Sequence, residues 1–138
     1  IKEHLEKTFS ILGDEKKMKK SLQKAINFLS KKEISILNAP LHGDFAIEQV
    51  LIKNKQLLLT DWNIREGPIV GDLVNLFRFQ KNLLGEKEFL KLLSFYPEEV
   101  KKNIKEYIIL NEIDLLILYP RRKNIFDDRI KYLLSKSH

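Results

Sequence analysis

The apolar positions near the start of the chain repeat with helical spacing. Leu5, Phe9 and Leu12 recur at steps of four and three residues. This spacing predicts a first helix over residues 2–12, and Gly13 gives it a stop signal. A second predicted helix covers about residues 15–30, with lysines on its polar face. Its apolar face is predicted to lie in the core and carries Met18, Leu22, Ile26 and Leu29.

The pattern changes between Ile34 and Trp62, where short apolar runs replace the helical repeat. Residues 50–52 and 57–60 have the length and composition of strands, and the polar residues 53–56 between them predict a hairpin turn. The neighbouring segments 38–40 and 66–68 have the composition of turns. We therefore expect one small β-ribbon, with Trp62 in the core behind it.

The rest of the chain returns to helical patterns. A helix is predicted over about residues 72–84, followed by a short helix after Gly85. Pro97 and two glutamates predict the start of a long helix that stops before Pro120. Its apolar stripe is Val100, Ile104, Ile108, Leu115 and Leu118. A last helix is predicted over residues 125–135, so the fold class is α+β, mainly α, in a single domain spanning residues 1–138.

Composition narrows the class of protein. A chain of 138 residues is the size of one domain, and it has no apolar run near the roughly 18 residues of a membrane span. It has no cysteine, which excludes disulfides and thiolate zinc sites and fits a reducing compartment. We therefore expect a cytoplasmic protein without a membrane partner. The chain starts at an isoleucine without a signal-peptide pattern, and we expect it to be a piece of a longer protein.

The positive charge is spread along predicted helices. The chain has 25 basic and 19 acidic residues, a formal net charge of +6. The lysines alternate with glutamates and are not interleaved with aromatic side chains, as a nucleic-acid stacking platform requires. A solvated helix face explains this pattern better than nucleic-acid binding. The nucleic-acid hypothesis predicts binding that weakens steeply with salt, at positions unrelated to the aspartates discussed next.

Two aspartates are the best candidates for catalytic residues. The five glycines form neither a phosphate-binding P-loop nor a dinucleotide-binding loop, and no serine-nucleophile motif is present. Asp44 and Asp61 stand at the two ends of the predicted ribbon, where folding back brings both to one edge. One carboxylate can accept the proton of an attacking hydroxyl while the other holds Mg²⁺ on ATP phosphates. The pattern therefore favours phosphoryl transfer.

A set of motifs in order resembles a known family. His-Gly-Asp-Phe at 42–45, Gln-Val-Leu at 49–51, Asp-Trp at 61–62 and Gly-Asp-Leu at 71–73 resemble the aminoglycoside phosphotransferase and choline kinase superfamily. The likeness covers roughly residues 38–80. It implies a protein-kinase-like fold in which this chain is the carboxy-terminal lobe, with a small β-hairpin beside the catalytic loop. It also implies an ATP-dependent, Mg²⁺-requiring enzyme that phosphorylates a hydroxyl group of a small molecule.

The resemblance assigns a role to each matching residue. Asp44 would be the catalytic aspartate that orients or deprotonates the acceptor hydroxyl. Asp61 would bind the metal, and Gln49 stands where the family has a metal-ligating asparagine. His42 would brace the catalytic loop by hydrogen bonding, and Asp72 would tie the loop backbone to the next helix.

Two departures from the family leave an alternative open. Glutamine at position 49 carries its amide oxygen about 1 Å further out than asparagine, and a shift of that size can cost about a hundredfold in rate. Nothing before residue 38 resembles the nucleotide-binding amino-terminal lobe, so we expect that lobe as a partner from the parent chain. The isolated 138 residues are then expected to be inactive. The alternative is a degenerate kinase-like domain that binds a partner or ligand without catalysis.

Overall fold

The computed structural model describes residues 16–79, 85–119, 121 and 123–135. In these residues the chain is an α+β structure, mainly helical, as the sequence predicts. The helices are α1 (Lys16–Ser30), α2 (Gly71–Phe79), α3 (Glu86–Leu93), α4 (Glu98–Lys102), α5 (Ile104–Leu118) and α6 (Lys123–Ser135). The strands are β1 (Asn38–Leu41), β2 (Val50–Lys53), β3 (Gln56–Leu59) and β4 (Arg65–Pro68). The helix predicted over residues 2–12 lies outside the described residues.

The chain divides into two compact units. One unit combines Ile1–Ser35 with Ile108–His138, and the other is the continuous segment Ile36–Tyr107. Every residue of the predicted site belongs to the second unit. Among the described residues, we find no helix long and apolar enough to cross a membrane. The prediction of a single domain remains a prediction.

The first unit is a helical core in which α1 packs against α6. Leu22 and Leu29 are buried there and Ile26 is half-buried, as the stripe on α1 predicts. In the same unit, the carboxylate of Glu112 on α5 is buried, and Nε of Arg129 on α6 lies 2.8 Å from it. A buried charge is tolerated when an opposite charge neutralises it, so this pair links two helices through the core. The buried members of this core are Leu22, Ala25, Leu29, Ile109, Ile113, Leu116, Phe126 and Ile130.

The predicted β-ribbon is confirmed in the second unit, with a tighter turn. Strands β2 and β3 are antiparallel, and Lys53 pairs with Gln56 at the end of the ladder. Only two residues form the turn, Asn54 and Lys55, with φ of 51° and 63°. Two consecutive residues with positive φ match the right-handed twist of the strands, which is why such turns close hairpins.

A second antiparallel pair corrects the sequence interpretation of residues 38–40 and 66–68 as turns. Strand β1 pairs with β4, from Asn38 opposite Pro68 to Leu41 opposite Arg65. Both strands contain proline, which is tolerated because every strand of a two-stranded sheet is an edge strand. The ladder joins segments more than 20 residues apart in sequence, and local composition does not show such pairing.

The long helix predicted after Pro97 is broken at Asn103. Helix α4 ends at Lys102, and α5 begins at Ile104. Asn103 leaves helical geometry, with φ of −111° and ψ of 23°, and its side-chain amide donates to the carbonyl of Glu99 at 2.9 Å. Asparagine competes for backbone hydrogen bonds in this way, and this explains the break. Leu118, predicted to be on the buried stripe, is 48% exposed.

Candidate active site

The carboxylate of Asp72 holds the backbone of the loop that contains Asp44. Its Oδ2 accepts a hydrogen bond from the backbone N–H of His42 at 2.7 Å, and its Oδ1 accepts one from Gly43 at 3.1 Å. Asp72 lies in the first turn of α2, where the helix dipole favours a negative charge. Hydrogen bonds to a charged acceptor are stronger than neutral ones, so this contact fixes the loop to the helix.

The side chain of His42 joins this loop to the end of the hairpin. The ring is buried, and Nε2 lies 2.6 Å from the carbonyl oxygen of Thr60. Because a carbonyl only accepts, Nε2 carries the hydrogen in this contact. The backbone N–H of Asn63 donates to the carbonyl of His42 at 2.9 Å. Thr60 and Asn63, which lie on either side of Asp61, are therefore both hydrogen-bonded to His42. His42 stands two positions before Asp44.

Gly43 lies where the loop at residues 42–44 passes close to the backbone of Asn63. Its φ is +89°, a conformation that L residues with a side chain rarely adopt. A Cβ atom there would lie 1.9 Å from the carbonyl oxygen of Asn63. The glycine is thus required by both the backbone conformation and the available space.

Asp44 and Asp61, the predicted catalytic and metal-binding residues, are both exposed. Asp61 has a φ of 54°, in the left-handed region, which is uncommon for a residue other than glycine. Such strain, maintained by the hydrogen bonds around Thr60 and Asn63, is concentrated at functional positions in proteins. The structure thus presents two solvent-accessible carboxylates on segments that are hydrogen-bonded to each other.

Gln49 is held next to the segment that leads to Asp61. Its carbonyl oxygen accepts hydrogen bonds from the backbone N–H of Thr60 at 2.9 Å and from the Thr60 hydroxyl at 3.2 Å. Its side-chain Oε1 is buried and has no hydrogen-bond partner. A buried acceptor without a donor is costly, and a cation is one group that would satisfy it. Among the described residues, no three His, Asp or Glu side chains form a metal cluster.

The prediction that Trp62 lies in the core is wrong. Trp62 is 55% exposed, with its ring centroid 4.7 Å from that of His42. Its indole Nε1–H donates to the carbonyl of Leu59 at 3.0 Å, which ties it to the end of β3. An indole has an apolar ring and one N–H hydrogen-bond donor. It can therefore cover the buried His42 ring from the solvent side while its N–H stays bonded to Leu59.

Arg65, which no sequence motif assigns to the site, lies beside the loop that contains Gly43. Arg65 pairs with Leu41, the residue before His42, in the β1–β4 ladder. Its Nε and Nη2 are buried and have no hydrogen-bond partner. The β1–β4 pairing creates this environment, and no local sequence signal predicts it.

Tyr96 lies close enough to Asp72 to sense its charge. Burial raises the pKa of Tyr96 above its usual value of 10.0, and the Asp72 carboxylate adds to the rise. The folded state therefore keeps the phenol protonated at a pH where the unfolded chain begins to lose the proton. This contribution to stability is fully present below pH 10 and is lost as the pH rises through the raised pKa.

We expect the Tyr96→Phe variant to lose less stability than the wild type above pH 10, because it has no phenol to ionise. Urea unfolding midpoints measured from pH 8 to pH 11.5 test this expectation. The two proteins should have parallel curves below pH 10 and diverge above it. Parallel curves over the whole range would show that ionisation of Tyr96 does not cause the loss of stability at alkaline pH.

Comparison with protein-family models, with curated proteins and with solved structures finds no match to this chain. The site is therefore interpreted from its own geometry. The roles predicted for Asp44, Asp61, Gln49, His42 and Asp72 remain predictions.

Proposed function

We propose that this chain is the catalytic lobe of an ATP-dependent phosphotransferase with a protein-kinase-like fold, which transfers the γ-phosphoryl group to a hydroxyl of a small molecule. The observation that carries the proposal is the anchoring of the loop at residues 42–44. The carboxylate of Asp72 and the backbone of Asn63 fix it from two sides, and this leaves the carboxylate of Asp44 exposed. A fixed loop with a free carboxylate is what positioning of an attacking hydroxyl requires.

The chain offers two oxygen ligands for Mg²⁺. Asp61 supplies an exposed carboxylate, and Gln49 supplies a buried amide oxygen without a donor. Thr60 connects them, since it binds the Gln49 carbonyl and directly precedes Asp61. Mg²⁺ prefers oxygen ligands and often takes only one or two from the protein, so the residues fit the ion. When bound with ATP, the ion would neutralise the charge that develops on the phosphates.

Asp44 and its neighbours have separate tasks in this proposal. Asp44 orients the acceptor hydroxyl and accepts its proton. Asp72 and His42 touch no substrate and act by holding the loop backbone and the hairpin end in place. The resemblance to two-lobed kinases also implies an amino-terminal lobe that holds the nucleotide from the other side.

A metal titration tests the proposal directly. The natural protein, at its full length, is titrated with a non-hydrolysable ATP analogue in the presence and absence of Mg²⁺. We expect Mg²⁺-dependent binding that Asp61→Asn weakens at least about tenfold, because it removes a charged ligand. Asparagine tolerates the left-handed conformation of position 61, so this variant removes the charge without forcing the backbone to move.

The matched control is Glu66→Gln, which removes an exposed carboxylate from the neighbouring strand β4. It should leave the Mg²⁺-dependent binding unchanged. If the nucleotide analogue fails to bind, or binds equally with and without Mg²⁺, the phosphotransferase proposal is wrong.

The second candidate function is a kinase-like binding domain without catalysis, and Gln49 is the residue that favours it. Its side-chain oxygen is buried, and its extra methylene displaces that oxygen from the position an asparagine would give it. We expect Gln49→Asn to raise phosphoryl transfer, by up to about a hundredfold, if the site is a functioning metal site. Turnover of ATP with a panel of small alcohols measures this. No turnover by either the wild type or the variant would favour the binding domain.

A further inference from the structure

Arg65 has a partly buried guanidinium group without a counterion among the described residues. Its Nε and Nη2 are closed to solvent and have no hydrogen-bond partner. The contrast within the same chain is Arg129, whose Nε lies 2.8 Å from the carboxylate of Glu112. Burying part of a guanidinium group without an acceptor for its N–H groups costs stability.

The Arg65 side chain lies beside two glycines. Its Cγ lies 3.4 Å from the place where a Cβ on Gly43 would be, and its Nη1 lies 3.7 Å from the place of a Cβ on Gly67. The side chain therefore runs past the residue directly before Asp44. Arg65 as a whole is half-buried. Its Cγ lies beside the candidate catalytic loop, and Nη1 of its charged end lies beside Gly67 on β4.

The unpartnered atoms also have a specific geometry. In a guanidinium group, the N–H bonds of Nε and Nη2 run parallel along one edge. This edge matches two oxygens of a phosphate or carboxylate and forms paired, charge-assisted hydrogen bonds with them. An unpaired cation with this edge free costs stability, and an oxyanion bound to the edge would offset part of that cost.

We infer that Arg65 anchors an oxyanion-binding site beside Asp44, and that its ligand is a phosphoryl group. The identification of the bound phosphoryl group with the one transferred near Asp44 rests on the proposed function. Binding needs a small rotation of the side chain that turns its parallel N–H edge toward solvent. The bound oxygens then satisfy both nitrogens and neutralise the charge. Because the Arg65 Cγ lies beside Gly43, a phosphoryl group bound by the rotated side chain would stay in the neighbourhood of the loop that carries Asp44.

Thermal unfolding in phosphate and in chloride, at equal ionic strength and pH, tests the site. For the wild type we expect inorganic phosphate to raise the unfolding midpoint in a saturable way, because it binds the folded state only. Arg65→Met keeps the volume of the side chain and removes its charge. We expect this variant to have a higher midpoint than the wild type in chloride and to show no saturable response to phosphate.

The higher midpoint in chloride is the result that a purely structural role would not give. If Arg65 served only the packing of β4, Arg65→Met would not raise stability in the absence of phosphate. Arg65→Lys is the second variant, since it keeps the charge and lacks the parallel N–H edge. It should weaken the phosphate response at least about tenfold, the loss of one charge-assisted hydrogen bond.

Lys53→Met is the control for general electrostatics, because Lys53 is an exposed cation at the end of strand β2. It should respond to phosphate as the wild type does. A wild type without a saturable phosphate response, or an Arg65→Met variant that keeps it, would overturn the inference. The proposed function is judged separately by the Mg²⁺ dependence of nucleotide binding, which the phosphate measurement does not involve.

Discussion

Replacing Gly43 by alanine is expected to dismantle the loop that presents Asp44. A side chain at a φ of +89° costs on the order of 1–3 kcal/mol from backbone strain alone. In addition, the new Cβ would lie 1.9 Å from the carbonyl oxygen of Asn63, so the two segments must move apart. This movement breaks the hydrogen bond from Asn63 to His42 and loosens the amides held by Asp72.

Urea unfolding measures this loss of stability, and we expect at least about 2 kcal/mol once the broken hydrogen bond is included. Mg²⁺-dependent nucleotide binding should be lost at the same time, because Asp61 lies next to the displaced segment. Gly85→Ala is the matched control. Gly85 has a negative φ, and of the residues that the structure describes a Cβ there meets only the movable end of the Glu88 side chain. Equal stability of the two variants would contradict the role of Gly43.

The Asp44→Asn substitution is expected to reduce phosphoryl transfer by about 10²–10⁴-fold, the usual contribution of a positioned acid or base. Asparagine has nearly the same size and cannot accept the proton of the attacking hydroxyl. Because Asp44 is exposed and contributes no hydrogen bond to the loop anchor described above, the fold should not change.

Steady-state turnover and nucleotide binding are measured together on this variant. The rate constant kcat should fall while the Mg²⁺-dependent affinity for the ATP analogue stays within about twofold of the wild type, since Asp44 is not a proposed metal ligand. Glu66→Gln again serves as the control for loss of a nearby negative charge. A variant that retains its rate would exclude Asp44 as the catalytic residue.

Several unfavourable local features lie in the second unit, and three of them are connected to the candidate site. Asp61 adopts a left-handed conformation, Gln49 has a buried amide oxygen without a donor, and Arg65 has two buried nitrogens without an acceptor. All three are connected through the loop that begins at His42 and the segment from Thr60 to Asn63. Natural proteins tend to accept such costs at functional sites, where a ligand removes them. A cation near Gln49 and an oxyanion on Arg65 would satisfy them with opposite charges.

The opposite charges also make the two binding proposals mutually supportive. A magnesium–phosphate complex carries both the cation that Gln49 and Asp61 would bind and the oxyanion that Arg65 would bind. Phosphate alone should therefore bind through Arg65, and the complete complex should bind through both. Binding of phosphate to the wild type without any Mg²⁺-dependent nucleotide binding would retain the Arg65 site and reject the phosphotransferase.

Much of the fold followed from local pattern. The apolar stripe predicted α1 with Leu22 and Leu29 inside, because helical periodicity directly reflects which face is buried. The hairpin at residues 50–59 followed from two apolar runs around a polar turn. The motif around Asp44 and Asp61 was visible for the same reason, since each aspartate stands directly beside a recognisable segment. The break at Asn103 was missed, because asparagine is tolerated inside many helices and its competing hydrogen bond forms only in three dimensions.

By itself, the sequence determined most of the described helices and the hairpin, which depend on neighbours within a few residues. Its choice of Asp44 and Asp61 stays a prediction. Only the tertiary structure decided that residues 38–41 pair with residues 65–68, that Trp62 is exposed over His42, and that Arg65 lies half-buried beside Gly43. These features depend on which distant segments meet and on how much solvent remains around them. A strand pairing or a burial is a property of both partners, and no local window of the sequence contains both.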